Sequence, residues 1–148
     1  MTGMTDSPVA VGERFERRAV FDAASIRRFA VMSGDANPLH HDDAAAAAGP
    51  FGRLIASGPH VTSLMMGLDA TYFSRHFDAL GLAFDFRFVK AITAGTELTL
   101  EWTITGSEVK PSLDGFIVTV EGRAVDDADT VFTTARGSNL IRIPKRAL

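Results

Sequence analysis

The chain has 148 residues, of which 46% are hydrophobic and 22% charged, a composition typical of one globular domain. Its formal net charge is −3 and it has no cysteine. These values argue against a general basic surface for nucleic acid and exclude thiol nucleophiles, thiolate metal sites and disulfides. No apolar run approaches the ~20 residues of a membrane helix, so we expect no membrane partner. With no visible signal peptide, the cytoplasm is the default location.

The first part of the chain predicts a lead-in followed by two helices. Residues 1–13 are dominated by Thr, Gly, Ser, Asp and Pro, which predicts a flexible segment before a single domain over residues 14–148. A helix is predicted over residues 21–32, with Asp22 as its N-cap and Gly34 just after its end. The alanines at 44–48 follow Asp42 and Asp43 and predict a second, short helix.

A third helix is predicted from Pro59 to about Phe73. Its apolar residues recur at intervals of three and four, and much of its remaining surface is also small or apolar. A helix of this kind is buried on more than one side, so we expect it to lie at the centre of the fold. The apolar positions are Val61, Leu64, Met65, Leu68 and Tyr72.

After Gly81 the apolar residues alternate, which predicts strands. Strands are expected near residues 84–88, 98–104, 116–121 and 131–143, with turns at 94–95, 106–115 and 126–129. Helices followed by strands with short connections indicate an α+β fold, in which an antiparallel sheet packs on helix.

Asp35 and His40 are the first candidates for chemistry. They are separated by a loop that Gly34 opens and Pro38 restricts, and both side chains can exchange protons. If they converge, the pair could activate one water molecule. The alternative is that Asp35 caps a turn and His40 is an ordinary surface histidine.

Other arrangements of reactive residues are weaker. The run from His40 to Asp43 contains metal-ligand types, but neighbouring side chains diverge and no further cluster completes a site, so we expect no metal. Ser57 or Ser63 could be combined with a histidine and an aspartate, yet no nucleophile-elbow motif is present. A glycine-rich dinucleotide fingerprint is also missing, which argues against a nicotinamide cofactor.

The residues before the third helix offer a possible binding site for negative charge. Ser57 and Gly58 precede Pro59, and backbone N–H groups at a helix start can receive a developing negative charge. An ordinary helix cap is the alternative. Arg53, Arg87 and Lys90 could contact phosphates, although single basic residues usually lie on a solvated surface.

Residues 33–40, SGDANPLH, lie between FAVM at 29–32 and FGRLIASG at 51–58. With this context the block resembles the MaoC-like, (R)-specific enoyl-CoA hydratase family, over roughly residues 20–140. The resemblance implies a hot-dog fold, in which an antiparallel sheet wraps around a long central helix. It also implies a homodimer, or a higher homo-oligomer, whose sheets join.

The resemblance further implies an activity and its residues. The activity is the reversible hydration of an enoyl-CoA, or a related acyl thioester, to a 3-hydroxyacyl thioester. Asp35 and His40 would be the catalytic pair that holds the water, and the Gly58 N–H would bind the thioester oxygen. Asn37 would shape the loop, and Ser63 would support Asp35. No metal or redox cofactor is implied, because coenzyme A is part of the substrate.

Two departures from the family pattern leave the shape of the acyl pocket open. Ser57 stands where many members have His, and Ala91 follows Lys90 where many have Pro. Two other functions also stay open, namely an acyl-CoA thioesterase of the hot-dog superfamily and a non-catalytic partner subunit that binds acyl thioesters. The sequence indicates neither the acyl chain length nor the physiological direction.

Overall fold

A computed structural model describes residues 6–145 as a five-stranded antiparallel sheet with one long helix and shorter helical segments. The strands are β1 (Arg14–Phe21), β2 (Asp78–Phe88), β3 (Thr96–Lys110), β4 (Gly115–Val125) and β5 (Val131–Arg142). The α-helices are α1 (Ala23–Ser33), α2 (Asp43–Ala48) and α3 (Gly58–Ser74), and 3₁₀ turns cover Pro38–His40 and Pro111–Leu113.

The sheet has the strand order β1-β3-β4-β5-β2, and all neighbouring strands are antiparallel. The inner face of the sheet packs on α3. Trp102 of β3 is fully buried there, and its indole N–H donates to the Met65 carbonyl of α3 over 2.8 Å. Burial of this large apolar surface holds helix and sheet together. The expected α+β hot-dog arrangement, a sheet around a central helix, is confirmed.

The predicted helices are confirmed with small shifts of their ends. The Asp22 carboxylate accepts a hydrogen bond from the Ser25 N–H at the start of α1, and Gly34 ends that helix with φ 73°. The Asp42 carboxylate caps α2 in the same way. Among residues 6–145, none of the helices combines the length and the apolar character that a bilayer crossing requires.

Strand β1 was not predicted. Four of its eight residues are charged, which masks the alternation, yet Phe15 and Phe21 point into the core and the strand pairs with β3 along its whole length. The described part of the predicted lead-in, residues 6–13, runs beside β3, where the Gly12 N–H donates to the Ile104 carbonyl over 2.8 Å. The rest of that predicted segment, residues 1–5, lies outside the described residues.

The turn predicted at 106–115 is wrong in its first half. β3 continues through Gly106 to Lys110, and the chain turns at Pro111–Leu113. The register between β3 and β4 shifts between Ile104 and Gly106, and a Cβ on Gly106 would lie 2.6 Å from the Thr119 hydroxyl oxygen. Glycine at this position therefore allows the two strands to approach closely at the register shift.

Candidate active site

The segment that carries Asp35 begins at the end of α1. The Asp35 N–H donates to the Ala30 carbonyl over 2.9 Å, and the Gly34 N–H donates to the Val31 carbonyl over 3.2 Å. This pattern is a Schellman motif, which depends on the left-handed backbone that glycine adopts at position 34. The motif places Asp35 directly against the end of the helix.

Two side-chain turns fix the residues between Asp35 and His40. The Asp35 carboxylate accepts from the Asn37 N–H over 2.9 Å, and the Asn37 side-chain oxygen accepts from the Leu39 N–H over 3.1 Å. Pro38 begins the 3₁₀ turn that follows. Because Asx turns and proline both restrict the backbone, the loop has a defined shape before any substrate binds.

The loop brings the two predicted catalytic side chains together. His40 Nε2 lies 3.4 Å from Asp35 Oδ2, and the side chains are 7% and 31% exposed respectively. The alternative in which His40 is a surface histidine is therefore wrong. Asp35 does cap a turn as well, but it uses Oδ1 for that bond and leaves Oδ2 facing the imidazole.

The hydrogen bond on the far side of His40 selects its tautomer. His40 Nδ1 lies 2.7 Å from the Ile55 carbonyl oxygen, which can only accept, so Nδ1 carries the hydrogen. In the neutral ring Nε2 therefore presents a lone pair toward Asp35. With the ring in that neutral state, two acceptors face each other across 3.4 Å. A donor placed between them, such as a water molecule with two O–H groups, satisfies both.

Gly58 begins α3 beside a phenylalanine ring. A Cβ on this residue would lie 2.7 Å from Cζ of Phe88, so glycine allows the ring to lie against the helix start. The first N–H of a helix has no acceptor within that helix. Pro59 has no N–H, and the His60 N–H donates to the Ser57 carbonyl over 3.1 Å. Within this turn, the Gly58 N–H is the donor left for a ligand.

A groove of about 460 Å³ opens beside Gly58. Its walls are mostly apolar and include Ile55, Val61 and Phe88, with Lys90 also on its lining. Ile55 connects the groove to the Asp35–His40 pair, because the same residue accepts the His40 Nδ1 hydrogen bond and donates its N–H to the Leu39 carbonyl over 3.1 Å. The candidate acid–base pair and the candidate oxyanion donor are thus joined through one short segment.

A model of the MaoC like domain family matches residues 6–124. This chain belongs to the MaoC-like domain family. Among curated proteins, an (R)-specific enoyl-CoA hydratase from Aeromonas caviae is 30% identical over 143 residues, which are 95% of this chain and 100% of that protein.

Solved structures agree with the placement in the MaoC-like family. A structure described as an (R)-hydratase from A. caviae involved in PHA biosynthesis is similar with a TM-score of 0.80 and 27% identity, covering 94% of this chain and 100% of that one. A MaoC-like dehydratase from Rhodospirillum rubrum has a TM-score of 0.79 and 27% identity, covering 93% and 96% of the two chains.

The other predicted site residues of this MaoC-like chain lie around the loop. Asn37 caps the 3₁₀ turn that carries His40, in keeping with a role in shaping the loop. Ser63 is exposed on α3, and among residues 6–145 the structure shows no hydrogen bond between Ser63 and Asp35. His41, considered from sequence only as a metal-ligand type, has its Nε2 against the Asp35 carbonyl oxygen, so it braces the loop from the other side.

The sequence analysis does not predict a buried carboxyl on α3. Asp69 lies on α3, is 1% exposed, and accepts a hydrogen bond over 3.0 Å from the side-chain amide of Asn139 on β5. Burial raises the pKa of Asp69 to about 6, and the Asn139 hydrogen bond offsets part of that rise. The two residues are 70 positions apart, so no local sequence pattern could have paired them.

Proposed function

We propose that this chain catalyses the reversible hydration of a 2-enoyl-CoA to a 3-hydroxyacyl-CoA of R configuration. The observation that carries the proposal is the Asp35–His40 pair, with Oδ2 and Nε2 3.4 Å apart and the imidazole tautomer set by the Ile55 carbonyl. The A. caviae relative, named an (R)-specific enoyl-CoA hydratase, supports the choice of substrate and stereochemistry.

The pair is suited to hold one water molecule. Water can donate one hydrogen to Asp35 Oδ2 and the other to His40 Nε2, which leaves its lone pairs free to attack the β-carbon of the enoyl group. Such positioning lowers the entropic cost of bringing the water molecule and the β-carbon together in the geometry of attack. Since Asp35 is part exposed and His40 is buried, the carboxylate side of the pair is the side open to a substrate.

In the proposed step the water oxygen forms a bond to the β-carbon as one of its protons passes to the pair. The π electrons move toward the thioester, and negative charge develops on the thioester oxygen. The Gly58 N–H at the start of α3 stabilises that charge; loss of one such donor in a known oxyanion hole costs about 2.7–4 kcal/mol. The pair then delivers a proton to the α-carbon, which completes the addition of H and OH.

Asp35 and His40 act as one acid–base unit in this scheme. Because one water molecule contacts both side chains in this scheme, we assign the base and acid roles to the pair and not to single residues. Both transfers use the same group and therefore occur on one face of the double bond. General acid–base assistance of this kind is worth roughly 10²–10⁴-fold in rate.

The structure offers less support to the thioesterase alternative, which would need a carboxylate that faces the central helix in a different frame. The only carboxyl on α3 is that of Asp69, which is 1% exposed and bonded to Asn139. That position gives no access to a substrate. A non-catalytic binding subunit would have no chemical need for a tautomer-fixed histidine opposite a carboxylate.

The proposal predicts that the protein consumes crotonyl-CoA and longer 2-enoyl-CoA thioesters. Their consumption is measured as the loss of the conjugated enoyl-thioester absorbance. We expect His40→Ala to lower kcat by about 10²-fold or more, the range of general acid–base assistance. Release of free coenzyme A thiol, measured in the same reaction, would indicate a thioesterase. Absence of hydration at every chain length would overturn the proposal.

We also propose that the chain functions as a homodimer whose sheets join along β2. This strand lies at one edge of the sheet, where unpaired backbone groups can pair with another chain. Its large apolar side chains are unusually open, with Leu80, Leu82 and Phe88 exposed by 59%, 51% and 59%. An exposed apolar edge such as that of β2 is typical of a surface that a second protein chain covers.

Substitution of Leu82 by Arg tests the dimer. We expect the variant to shift toward monomer in sedimentation velocity, because each copy would have to bury a charge in the apolar contact along β2. Val11→Arg is the matched control, since Val11 is 67% exposed and lies beside β3 at the other side of the sheet. A wild-type chain that sediments as a monomer at high concentration would rule the dimer out.

A further inference from the structure

Two buried hydroxyl groups lie at the groove beside Gly58 without any partner. Ser57 is 3% exposed and Thr133 is 1% exposed, and both line this groove. Neither hydroxyl oxygen has a hydrogen-bond partner within residues 6–145. Buried polar groups are nearly always paired, and leaving one unpaired is costly. Each of these hydroxyls therefore needs a partner other than residues 6–145, such as a bound ligand.

Local geometry explains why Ser57 is unpaired. A serine at a helix N-cap usually accepts a hydrogen bond from the second or third N–H of the helix. Here the second position is Pro59, which has no N–H, and the His60 N–H is bonded to the Ser57 backbone carbonyl. The hydroxyl makes no capping bond. It is consequently free to serve a ligand in the groove.

Thr133 reaches the same groove from the sheet. It lies on β5 directly opposite Phe88 of β2, and the Phe88 ring lies against Gly58. The groove lining thus includes the Gly58 N–H and two unpaired hydroxyls, with Lys90 as a further polar residue and apolar walls that include Ile55, Val61 and Ile92. A ligand matched to this arrangement has one strongly accepting oxygen attached to an apolar chain.

We propose that Ser57 and Thr133 donate hydrogen bonds to the thioester carbonyl oxygen, so that with the Gly58 N–H they form a three-donor subsite. The inference rests on the proposed function, because it takes an acyl thioester as the ligand. During hydration the oxygen gains negative charge as the β-carbon is attacked, and the three donors bind it more tightly as that charge grows. Donors of this kind raise kcat more than they lower KM.

Removal of each hydroxyl tests the subsite. We expect Ser57→Ala and Thr133→Val to lower kcat for crotonyl-CoA hydration about tenfold or more, and to raise KM by about two- to threefold, because each hydroxyl also binds the ground-state carbonyl oxygen. Ser57→Thr and Thr133→Ser keep the hydroxyl and should retain more activity than the variants that lack it. Thr105→Val, on the exposed surface of β3, is the matched control and should keep the wild-type rate.

Thermal unfolding of the free protein separates this role from a structural one. A hydroxyl with no partner contributes nothing to folding, so its removal should leave Tm unchanged or raise it. A structural hydroxyl would instead show a lower Tm along with the lower rate. A fall in kcat that merely follows a fall in Tm in both variants would overturn the inference.

Binding of butyryl-CoA, a saturated thioester that cannot be hydrated, separates the subsite from the proposed activity. Unchanged kcat in both variants beside an active wild type would overturn the subsite alone. If the wild type does not hydrate any enoyl-CoA, the proposed function fails. The increase in Tm that butyryl-CoA causes then decides whether the subsite binds a thioester. A smaller increase in both variants than in wild type would support the subsite, whereas an equal increase, or none in wild type, would overturn it.

Discussion

Two aspartates in this molecule each face a nitrogen-bearing side chain, and the two pairs differ in almost every other respect. Asp35 lies on a loop, 31% of its side chain is exposed, and its partner His40 is bonded to a carbonyl behind it. Asp69 lies on α3 inside the fold and is 1% exposed. Its carboxyl is hydrogen-bonded to the side-chain amide of Asn139 on β5, which cannot take up a proton.

The comparison shows that burial and a raised pKa do not by themselves make an active site. Asp69 has the raised pKa, but its location gives no route for a substrate and its partner does not titrate. Asp35 has access, a titratable partner, and a loop that holds both. The properties that matter for chemistry are therefore access from outside the fold and the fixed direction of each lone pair.

The largest effect is expected for Asp35→Asn. The amide oxygen can still accept the Asn37 N–H, so the loop keeps its turn, but the carboxylate that takes part in proton transfer is lost. We expect kcat for enoyl-CoA hydration to fall by about 10²–10⁴-fold with little change in Tm. Asp69→Asn is the matched variant and should keep the wild-type rate. Equal rates for wild type and Asp35→Asn would show that the pairing at the loop is incidental.

The second effect concerns the stability of the buried pair. The folded-state pKa of Asp69, about 6, lies above the ordinary value of 3.8, so the native state favours the protonated carboxyl. Stability from this group is present below pH 4 and is lost as the pH rises toward and through 6. At 1.36 kcal/mol per pKa unit, the loss reaches about 3 kcal/mol.

Urea unfolding across this pH range measures the difference. Asp69→Asn removes the titration, so its stability relative to wild type should rise between pH 4 and pH 7 by up to about 3 kcal/mol. A constant stability difference between wild type and Asp69→Asn at every pH would contradict the assignment of this titration to the buried pair.

The smallest effect is expected at the turn that supports His40. Asn37→Ala removes the acceptor for the Leu39 N–H, a cap-like bond whose loss costs about 1 kcal/mol. The free energy of unfolding should fall by that amount, and kcat should fall modestly because His40 is held less firmly. Asn37→Asp keeps an acceptor oxygen and should restore most of both. If Asn37→Ala and wild type unfold alike, the turn does not depend on this side chain.

Much of the fold could be predicted because its signals are local. The Asp22 cap, the glycine at 34 and the spacing of apolar residues in α3 each depend on residues within a few positions of one another. Strand β1 could not be predicted in the same way, since charged residues such as Arg17 and Arg18 interrupt the alternation. Its position depends on pairing with β3, about 80 residues away along the chain.

In the candidate site too, the features with local sequence signals could be predicted, and those that depend on distant residues could not. Asp35 and His40 could be chosen from sequence because both lie in one short, proline-restricted loop. The tautomer of His40 could not, because it is set by Ile55, 15 residues away in the chain. Ser57 could be chosen as part of a helix start, but its unpaired hydroxyl follows from the combined effect of Pro59, His60 and the packing of the sheet.

The carbonyl of Ile55 has a consequence for where hydrogen atoms travel. Because it only accepts, the imidazole of His40 cannot hand a proton through its ring to the protein interior, and every proton that reaches Nε2 must leave by the same nitrogen. The histidine therefore accepts and releases protons at Nε2 alone and does not pass them on through its ring. In the proposed reaction, the hydrogen that arrives with the attacking water is retained at the pair, which favours its transfer to the α-carbon of the same substrate molecule.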